Sequence, residues 1–387
     1  MHRVAILIEY PTVNGGENSM LAVLQHLLDR AESEFEFCVL GPTQGAMPDR
    51  LSELGIPIEA LNLFDEVGQR LPREQAIPRL LEAAKASGAD LVHGNSLAMG
   101  RLLGAASREQ PTFVATSHLR DIMKLSGAAI SDLNATRRLI AVSNATLRFH
   151  VGQGLNESIG TVIHNGIDTE NFAAGVSARA SVRHELGISD DAIVLLTVGQ
   201  IGLRKGLDTL ASVGQKLAES RTGIHWLLVG ERFSQKAESV EFEASILRTF
   251  SECEPSLKLH KLGYRRDIPE LMRASDVLVH GARQEPLGRV LLEAAASELA
   301  IVATDVGGTG EIIVDGECGS LVPADVPSAM TDAISKLIDD ESRRRQIAVS
   351  AHRRIRSNFG ISKSAEAVAD VWNSVISSAE QGRSSSV

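Results

Sequence analysis

Short apolar runs of strand length alternate along this chain with longer stretches whose apolar positions recur at helical spacing. Runs such as VAILIEY (4–10) and AIVLLTV (192–198) lack the polar alternation of half-exposed strands. They predict strands buried on both faces, as in parallel sheets covered by helices. In the first half, strands are expected near 4–10, 35–41, 57–61, 90–95, 112–118, 138–143 and 161–165, with helices such as 17–30 between them. A second series begins afresh, with strands near 192–199, 224–229, 257–262, 276–280, 301–305 and 320–322. Its helices include 206–219, 268–274 and 289–298.

Two successive series of this kind predict an α/β protein of two facing Rossmann-like domains, with an interdomain cleft at the carboxyl ends of the strands. The polar, small-residue stretch between them places the junction near 168–178, dividing a first domain, 1–172, from a second, 173–361. Beyond 341 the chain reads as helices, and SAEQGRSSSV (378–387) as a flexible tail.

Length and composition narrow the picture. The 387 residues suit two domains, and no apolar run approaches the roughly 20 residues a membrane span needs. The three cysteines, Cys38, Cys253 and Cys318, form neither a CxxC motif nor a Cys/His cluster. A disulfide framework and a sequence-evident metal site are therefore not expected, and a reducing cytoplasm is. A formal charge of −10 argues against a nucleic-acid scaffold. It leaves room for small phosphate-bearing ligands, which one or two cations and a helix terminus suffice to hold. The RRR and HRRIR clusters at 343–356 share their helical stretch with Asp339, Asp340 and Glu341 and read as a solvated face.

The densest chemistry lies in HGARQEPLGRVLLEAAA (280–296). A strand ends, Glu285 precedes Pro286, Gly288 opens a helix and Glu293 falls in its first turns. Pro286 keeps Glu285 out of the helical region and should project it from the loop into the cleft. The first amides of the helix, Gly288 to Leu291, are expected to be unsatisfied donors backed by the positive end of the helix dipole, a seat for phosphate. Two glutamates eight residues apart mean little alone; their setting is what points to a ligand. In VGQIGLRKGLD (198–208) a buried strand runs into a glycine loop bearing Arg204 and Lys205, cations placed to neutralise a diphosphate. In EYPTVNGGEN (9–18) a glycine turn opens the first helix, yet neither GxGxxG nor GK[ST] is present. A dinucleotide site and a Walker A loop are thus disfavoured. His93 and His118 end two strands of the first sheet and would point toward the same cleft, His118 being the better candidate.

With these residues in view, the chain resembles glycosyltransferase family 4, the retaining enzymes of the GT-B fold with an E-x7-E pair. The likeness runs nearly end to end, through NGG (14–16), His118, IAVSNAT (140–146), VIHNGIDTENF (162–172), VGQIGLRKGLD, LGYRRDIPELMRASDVLV (262–279), the two glutamates and TDVGGTGEII (304–313). It implies transfer of a hexosyl group from a nucleoside-diphosphate sugar, a UDP- or GDP-sugar, to an unidentified hydroxyl acceptor such as a glycan, glycolipid or small molecule.

The resemblance implies no cofactor and no metal. It would have Glu285 bind hydroxyls of the donor sugar, Glu293 the ribose, Arg204 and Lys205 the diphosphate, and His118 the donor near its reacting carbon. Gly15, Gly16, Gly199, Gly263, Pro286, Leu287, Gly288, Arg289 and Val290 complete the implied donor- and nucleotide-binding set. The helix at 362–378 would cross back to brace the first domain, and a lipid-linked acceptor would bring the protein to a membrane surface. One departure is Gln200, where many members carry arginine; it leaves open whether Arg204 or Lys205 carries the leaving-group charge. The competing readings are a sugar-nucleotide epimerase, a phosphorylase, and a catalytically silent homologue that binds a glycan or protein.

Overall fold

A computed structural model describes residues 1–172 and 177–384. The chain divides into two compact units, Met1–Gly166 with Ile361–Val387, and Ile167–Gly360.

The first unit alternates strand and helix: β1 (His2–Leu7), α1 (Gly15–Leu28), β2 (Phe35–Gly41), α2 (Ala46–Glu53), β3 (Ile58–Ala60) and α3 (Arg73–Ser87). It continues with β4 (Leu91–Gly94), α4 (Leu97–Glu109), β5 (Ala115–Leu119), α5 (Gly127–Leu133), β6 (Arg138–Ala141), α6 (Asn144–Val151) and β7 (Gly160–Val162). All seven strands are parallel, in the order β3-β2-β1-β4-β5-β6-β7. Val4, Ala5, Ile6 and Leu7 are fully buried, because helices cover both faces of β1. Serines start the helices on the carboxyl side: Ser96 Oγ accepts the Met99 amide at 3.2 Å, and Ser143 Oγ the Thr146 amide at 3.0 Å.

The second unit comprises α7 (Ser177–Leu186), β8 (Ile193–Val198), α8 (Leu207–Ser220), β9 (Ile224–Val229), α9 (Ala237–Ser251), β10 (Leu257–Gly263) and α10 (Ile268–Ala274). Then come β11 (Val277–His280), α11 (Arg289–Ala296), β12 (Ala300–Thr304), α12 (Thr309–Ile312), β13 (Ser320–Val322), α13 (Pro327–Asp339) and α14 (Glu341–Asn358). Its six parallel strands run β10-β9-β8-β11-β12-β13. A buried ion pair seats α7: Arg183, 1% exposed, meets Asp276 at 2.9 Å and spends its other N–H groups on the carbonyls of Ala274, Ser189, Asp190 and Ala192. With every guanidinium nitrogen matched, a buried arginine is tolerated where an unpaired one would cost several kcal/mol, on the order of 3–5.

The last helix, α15 (Ile361–Ser384), belongs to the first unit. It lays Ala365, Val368, Ala369, Trp372, Val375 and Ile376 into the core formed by α1, β1 and β2. The Trp372 indole meets the rings of Phe35 and Phe37 edge-on, with centroids 5.8 and 5.9 Å apart. The flexible tail expected over 378–387 is a correction: α15 continues to Ser384, because Ala379 still packs against that core, and 385–387 lie outside the described residues. The junction expected at 168–178 falls partly on 173–176, also outside the described residues. Among the described residues no helix is long and apolar enough to cross a membrane.

In each sheet the direction of strand progression reverses once, between β1 and β4 and between β8 and β11. Loops leaving the carboxyl ends of such strand pairs diverge and leave a crevice, which is where open α/β sheets hold ligands.

Candidate functional site

At the β8/β11 reversal the loops after both strands meet. After β8 the chain passes Gly199, Gln200 and Gly202, makes a single 3-10 turn (Leu203–Lys205) and enters α8 through Gly206 in the left-handed region, φ 63°. A side chain at Gly206 would set Cβ 1.9 Å from the Gly281 carbonyl oxygen, so this loop lies directly on the strand exit of β11. The approach brings Lys205 Nζ to 2.6 Å from Glu285 Oε2. His280, the last residue of β11, donates Nε2–H to the same oxygen at 3.1 Å. No described residue hydrogen-bonds Oε1.

Glu285 is 7% exposed. It therefore does not project freely, as expected from Pro286; its carboxylate turns onto the Lys205 ammonium and the His280 imidazole. Burial would raise its pKa, but the Lys205 ammonium and the His280 hydrogen bond outweigh it and hold the carboxyl well below the usual range. Burial likewise pushes the His280 imidazole down, with Lys205 adding to the effect against the pull of Glu285. Lys205 has three N–H donors and gives one to Glu285, leaving two for an anionic ligand. Arg204 is exposed, and its guanidinium makes a long 3.5 Å contact to the Gln284 carbonyl. Gln200 is exposed as well.

Arg283 holds the two loops together. Its guanidinium donates to Asp208 through Nη1 and Nη2, both at 2.8 Å, to Asp325 at 2.8 Å and to the Leu203 carbonyl at 2.7 Å. Its backbone amide donates to the Arg204 carbonyl at 2.9 Å. Beside this clamp, glycines end three neighbouring strands: Gly199 after β8, Gly230 after β9 and Gly263 closing β10. The Gly230 amide donates to the Gly263 carbonyl at 2.8 Å, and a Cβ on Gly230 would lie 2.0 Å from the Gly199 carbonyl oxygen. At this carboxyl edge backbone packs directly on backbone at Gly230, while the Lys205 stem and the Glu231 carboxylate pass beside Gly199 and Gly263.

Pro286 and Leu287 are buried, and Gly288 caps α11 with φ 106°. A side chain at Gly288 would press on Leu291, with Cβ 2.7 Å from Leu291 Cδ1. Leu291 N–H turns back to the Gly288 carbonyl at 2.9 Å, which removes it from the set of open donors expected over Gly288 to Leu291. Val290 lies in the first turn, where helix geometry supplies no acceptor. Arg289 and Glu293 sit one turn apart and pair at 2.7 Å.

The first unit has its own crevice at the β1/β4 reversal. A cavity of about 320 Å³ is lined by Glu9 and Tyr10 after β1, Asn95 and Ser96 after β4, and Asp121 and Met123 after β5. Gly15 and Gly16 open α1 beside it, and Glu17 reaches back to the Asn14 amide at 3.1 Å as a capping residue. Arg120 lies over Gly16: a Cβ there would be 3.0 Å from Arg120 Cδ. Its guanidinium donates to Asn95 Oδ1 at 2.9 Å and to Asn165 Oδ1 at 2.8 Å. His93 and His118 do not point out side by side as expected. They are buried and bonded to each other, Nε2 to Nδ1, at 2.6 Å, because adjacent strands bring His93 opposite Thr116, two residues before His118.

Lys205, Glu285, Gly288 and Glu293 are thus marked in the sequence, whereas His280, Arg283, Gly230, Arg120 and Asn95 emerge only from the structure. The only signal for Gly230 was its place after a buried strand, the same signal that marked Gly199. Among the described residues no cluster of three His, Cys, Asp or Glu side chains is placed to hold a metal ion.

Known proteins resemble this chain along both of its units. Residues 13–171 match the family described as Glycosyltransferase Family 4, and residues 178–354 that described as Glycosyl transferases group 1. Alpha-maltose-1-phosphate synthase of Mycobacterium tuberculosis is 28% identical over 250 residues, which make up 62% of this chain and 64% of that protein. The chain therefore spans slightly under two thirds of that relative. D-inositol 3-phosphate glycosyltransferase of Xylanimonas cellulosilytica is 26% identical over 387 aligned residues, covering 92% of this chain and 91% of the relative. Among solved structures, Anabaena Alr3699/HepE in complex with UDP-glucose superposes with a TM-score of 0.83 at 22% identity, over 97% of this chain and 100% of that one. Its likeness defines the fold as GT-B. The chain belongs to glycosyltransferase family 4.

Proposed function

We propose that this protein is a retaining hexosyltransferase that uses a UDP- or GDP-sugar and a hydroxyl acceptor. The observation that carries the reading is the Lys205–Glu285 pair at the β8/β11 reversal, one loop away from the start of α11. In this reading the diphosphate takes the two remaining donors of Lys205 and the Val290 amide of α11, with Arg204 as the exposed second cation. Glu285 Oε1 accepts a donor-sugar hydroxyl, and Glu293 exchanges Arg289 for the ribose hydroxyls. The glycine edge at 199, 230 and 263 lets the nucleoside lie against backbone. On the first unit, His118 contacts the donor sugar, and the Gly15 and Gly16 amides assist the diphosphate.

The chemistry follows from charge. As the bond from the anomeric carbon to the diphosphate oxygen breaks, negative charge grows on that oxygen, where fixed cations and amides stabilise it most. The acceptor hydroxyl then bonds the same carbon on the same face, and its proton passes to the departing phosphate. Glu285, held ionised by Lys205 and His280, orients the sugar rather than attacking it. With cationic side chains at the leaving group, no divalent metal is required. The three cysteines are unpaired and buried, which suits a cytoplasmic setting.

The test is turnover of UDP-, GDP- and ADP-sugars with a mixture of glycan and polyol acceptors. Release of one nucleoside diphosphate, with an α-linked product from an α-configured donor, is expected. Sugar 1-phosphate made from inorganic phosphate, donor interconversion without acceptor, or an inverted product would each contradict the reading.

A further inference from the structure

Behind His118 runs a chain of ring contacts that ends in the C-terminal helix. Trp372 Nε1 lies 3.2 Å from His93 Nδ1, and Thr116 Oγ1 lies 2.8 Å from the same nitrogen. His93 Nε2 lies 2.6 Å from His118 Nδ1. All four side chains are buried. The charged neighbour of both imidazoles is Arg120, and burial first, with Arg120 second, pushes His93 down to about 3 and His118 well below its ordinary value. Both rings are therefore neutral, each with one donor and one acceptor nitrogen.

Two neutral imidazoles in series can be protonated in either direction, and a threonine hydroxyl at the end would serve both, since it donates or accepts. An indole N–H only donates. Facing Trp372, His93 Nδ1 must accept, so the proton of His93 sits on Nε2 and is donated to His118 Nδ1. The His118 proton must then sit on its own Nε2, which no described residue hydrogen-bonds.

We propose that Trp372 is a positioning residue that fixes, through His93, the tautomer in which His118 presents Nε2–H as a hydrogen-bond donor to an oxygen of the donor sugar. The last step rests on the role of His118 given above; the direction of the relay does not. It assigns to α15 a part in the site beyond packing, carried by one N–H group.

The test reads the protons themselves. In protein labelled with [15N]histidine, ring correlations assigned with His93→Gln and His118→Gln should show both imidazoles neutral and protonated on Nε2. Trp372→Phe keeps a ring against Phe35 and Phe37 but removes the donor. Both histidines should then populate mixed tautomers, and kcat/KM should fall by roughly two- to tenfold, the scale of one neutral hydrogen bond. Thr116→Val should leave the wild-type tautomers in place. A proton on His118 Nδ1 in the wild type, or unchanged tautomers in Trp372→Phe, overturns the relay. Mixed tautomers with unaltered turnover would leave the relay standing and remove His118 from the donor site.

Discussion

Replacing Lys205 with methionine separates charge from packing at the centre of the site. The lysine stem runs past Gly199, where a Cβ would lie 3.5 Å from Lys205 Cε, and methionine preserves most of that contact. What is lost is the ammonium 2.6 Å from a carboxylate that is 7% exposed. The remaining partner is a neutral imidazole at 3.1 Å. Removing one member of a buried pair costs about 3–5 kcal/mol when the survivor stays charged. Glu285 can instead take up a proton, so a loss near the lower bound, about 3 kcal/mol at pH 7, is expected.

The sign with pH follows from the depressed pKa. In the wild type, Glu285 contributes stability in full above the unfolded carboxyl value of about 4.5 and loses it as pH falls below that toward the folded value. In the variant burial acts unopposed by lysine, the folded pKa rises, and acid relieves the penalty. The difference between the two proteins should therefore shrink from pH 7 to pH 4.5. The chain has two tryptophans, one in each unit, so Trp226 fluorescence in a Trp372→Phe background reports urea unfolding of the second unit alone. Transfer should drop by roughly 10²–10³, the usual cost of one donor to a developing oxyanion. A difference that is constant or widens on acidification, or transfer within a few-fold of wild type, would refute the reasoning.

Three further outcomes follow from individual contacts. Arg283→Ala should lower turnover by roughly ten- to a hundredfold through misplacement of the loops it joins. Its stability cost should stay near 1 kcal/mol, because Asp208 and Asp325 are 43% and 55% exposed; parallel urea midpoints and initial rates separate the two effects. Gly104→Ala in α4 would set a Cβ 1.8 Å from the Asp132 backbone oxygen, and Asp132 is itself tied to Arg73 and Arg108. It should cost about 3 kcal/mol of first-unit stability, the upper end for overpacking, read by Trp372 fluorescence during urea unfolding in a Trp226→Phe background. Stripping metals with EDTA should leave the initial rate of nucleoside diphosphate release unchanged; a loss restored by magnesium would place a metal at the leaving group.

Central strands such as β1, β8 and β11 were legible because burial on both faces leaves unbroken apolar runs; the edge strand β10, LKLHKLG, instead alternates apolar and polar residues, and each expected run overlaps one of β1 to β13. Gly288 at a helix start and the cations after β8 were legible from local grammar alone. The pairing of Lys205 with Glu285 was not, since 80 residues separate them and only strand order brings their loops together. Arg283 is hidden for the same reason: its partners at 203, 208 and 325 come from two other connections. His93 and His118 could be read as strand ends, but whether they face outward or each other depends on register across β4 and β5. The extension of α15 past 379 escaped notice because SAEQGRSSS is polar, and one small residue, Ala379, carries the helix on by packing.

The most direct measurement is a thermal-unfolding titration of the wild type and Glu293→Ala with UDP, GDP, ADP and dTDP. A ligand at about 100 times its dissociation constant adds roughly 2.7 kcal/mol to the folded state. For a unit the size of Ile167–Gly360 that corresponds to a rise of roughly 5–10 °C in Tm. Stabilisation by one nucleotide, lost or sharply weakened in Glu293→Ala, is the expected result. No rise with any of the four at millimolar concentration would contradict a nucleoside-diphosphate site on the second unit, and with it the proposed transfer reaction.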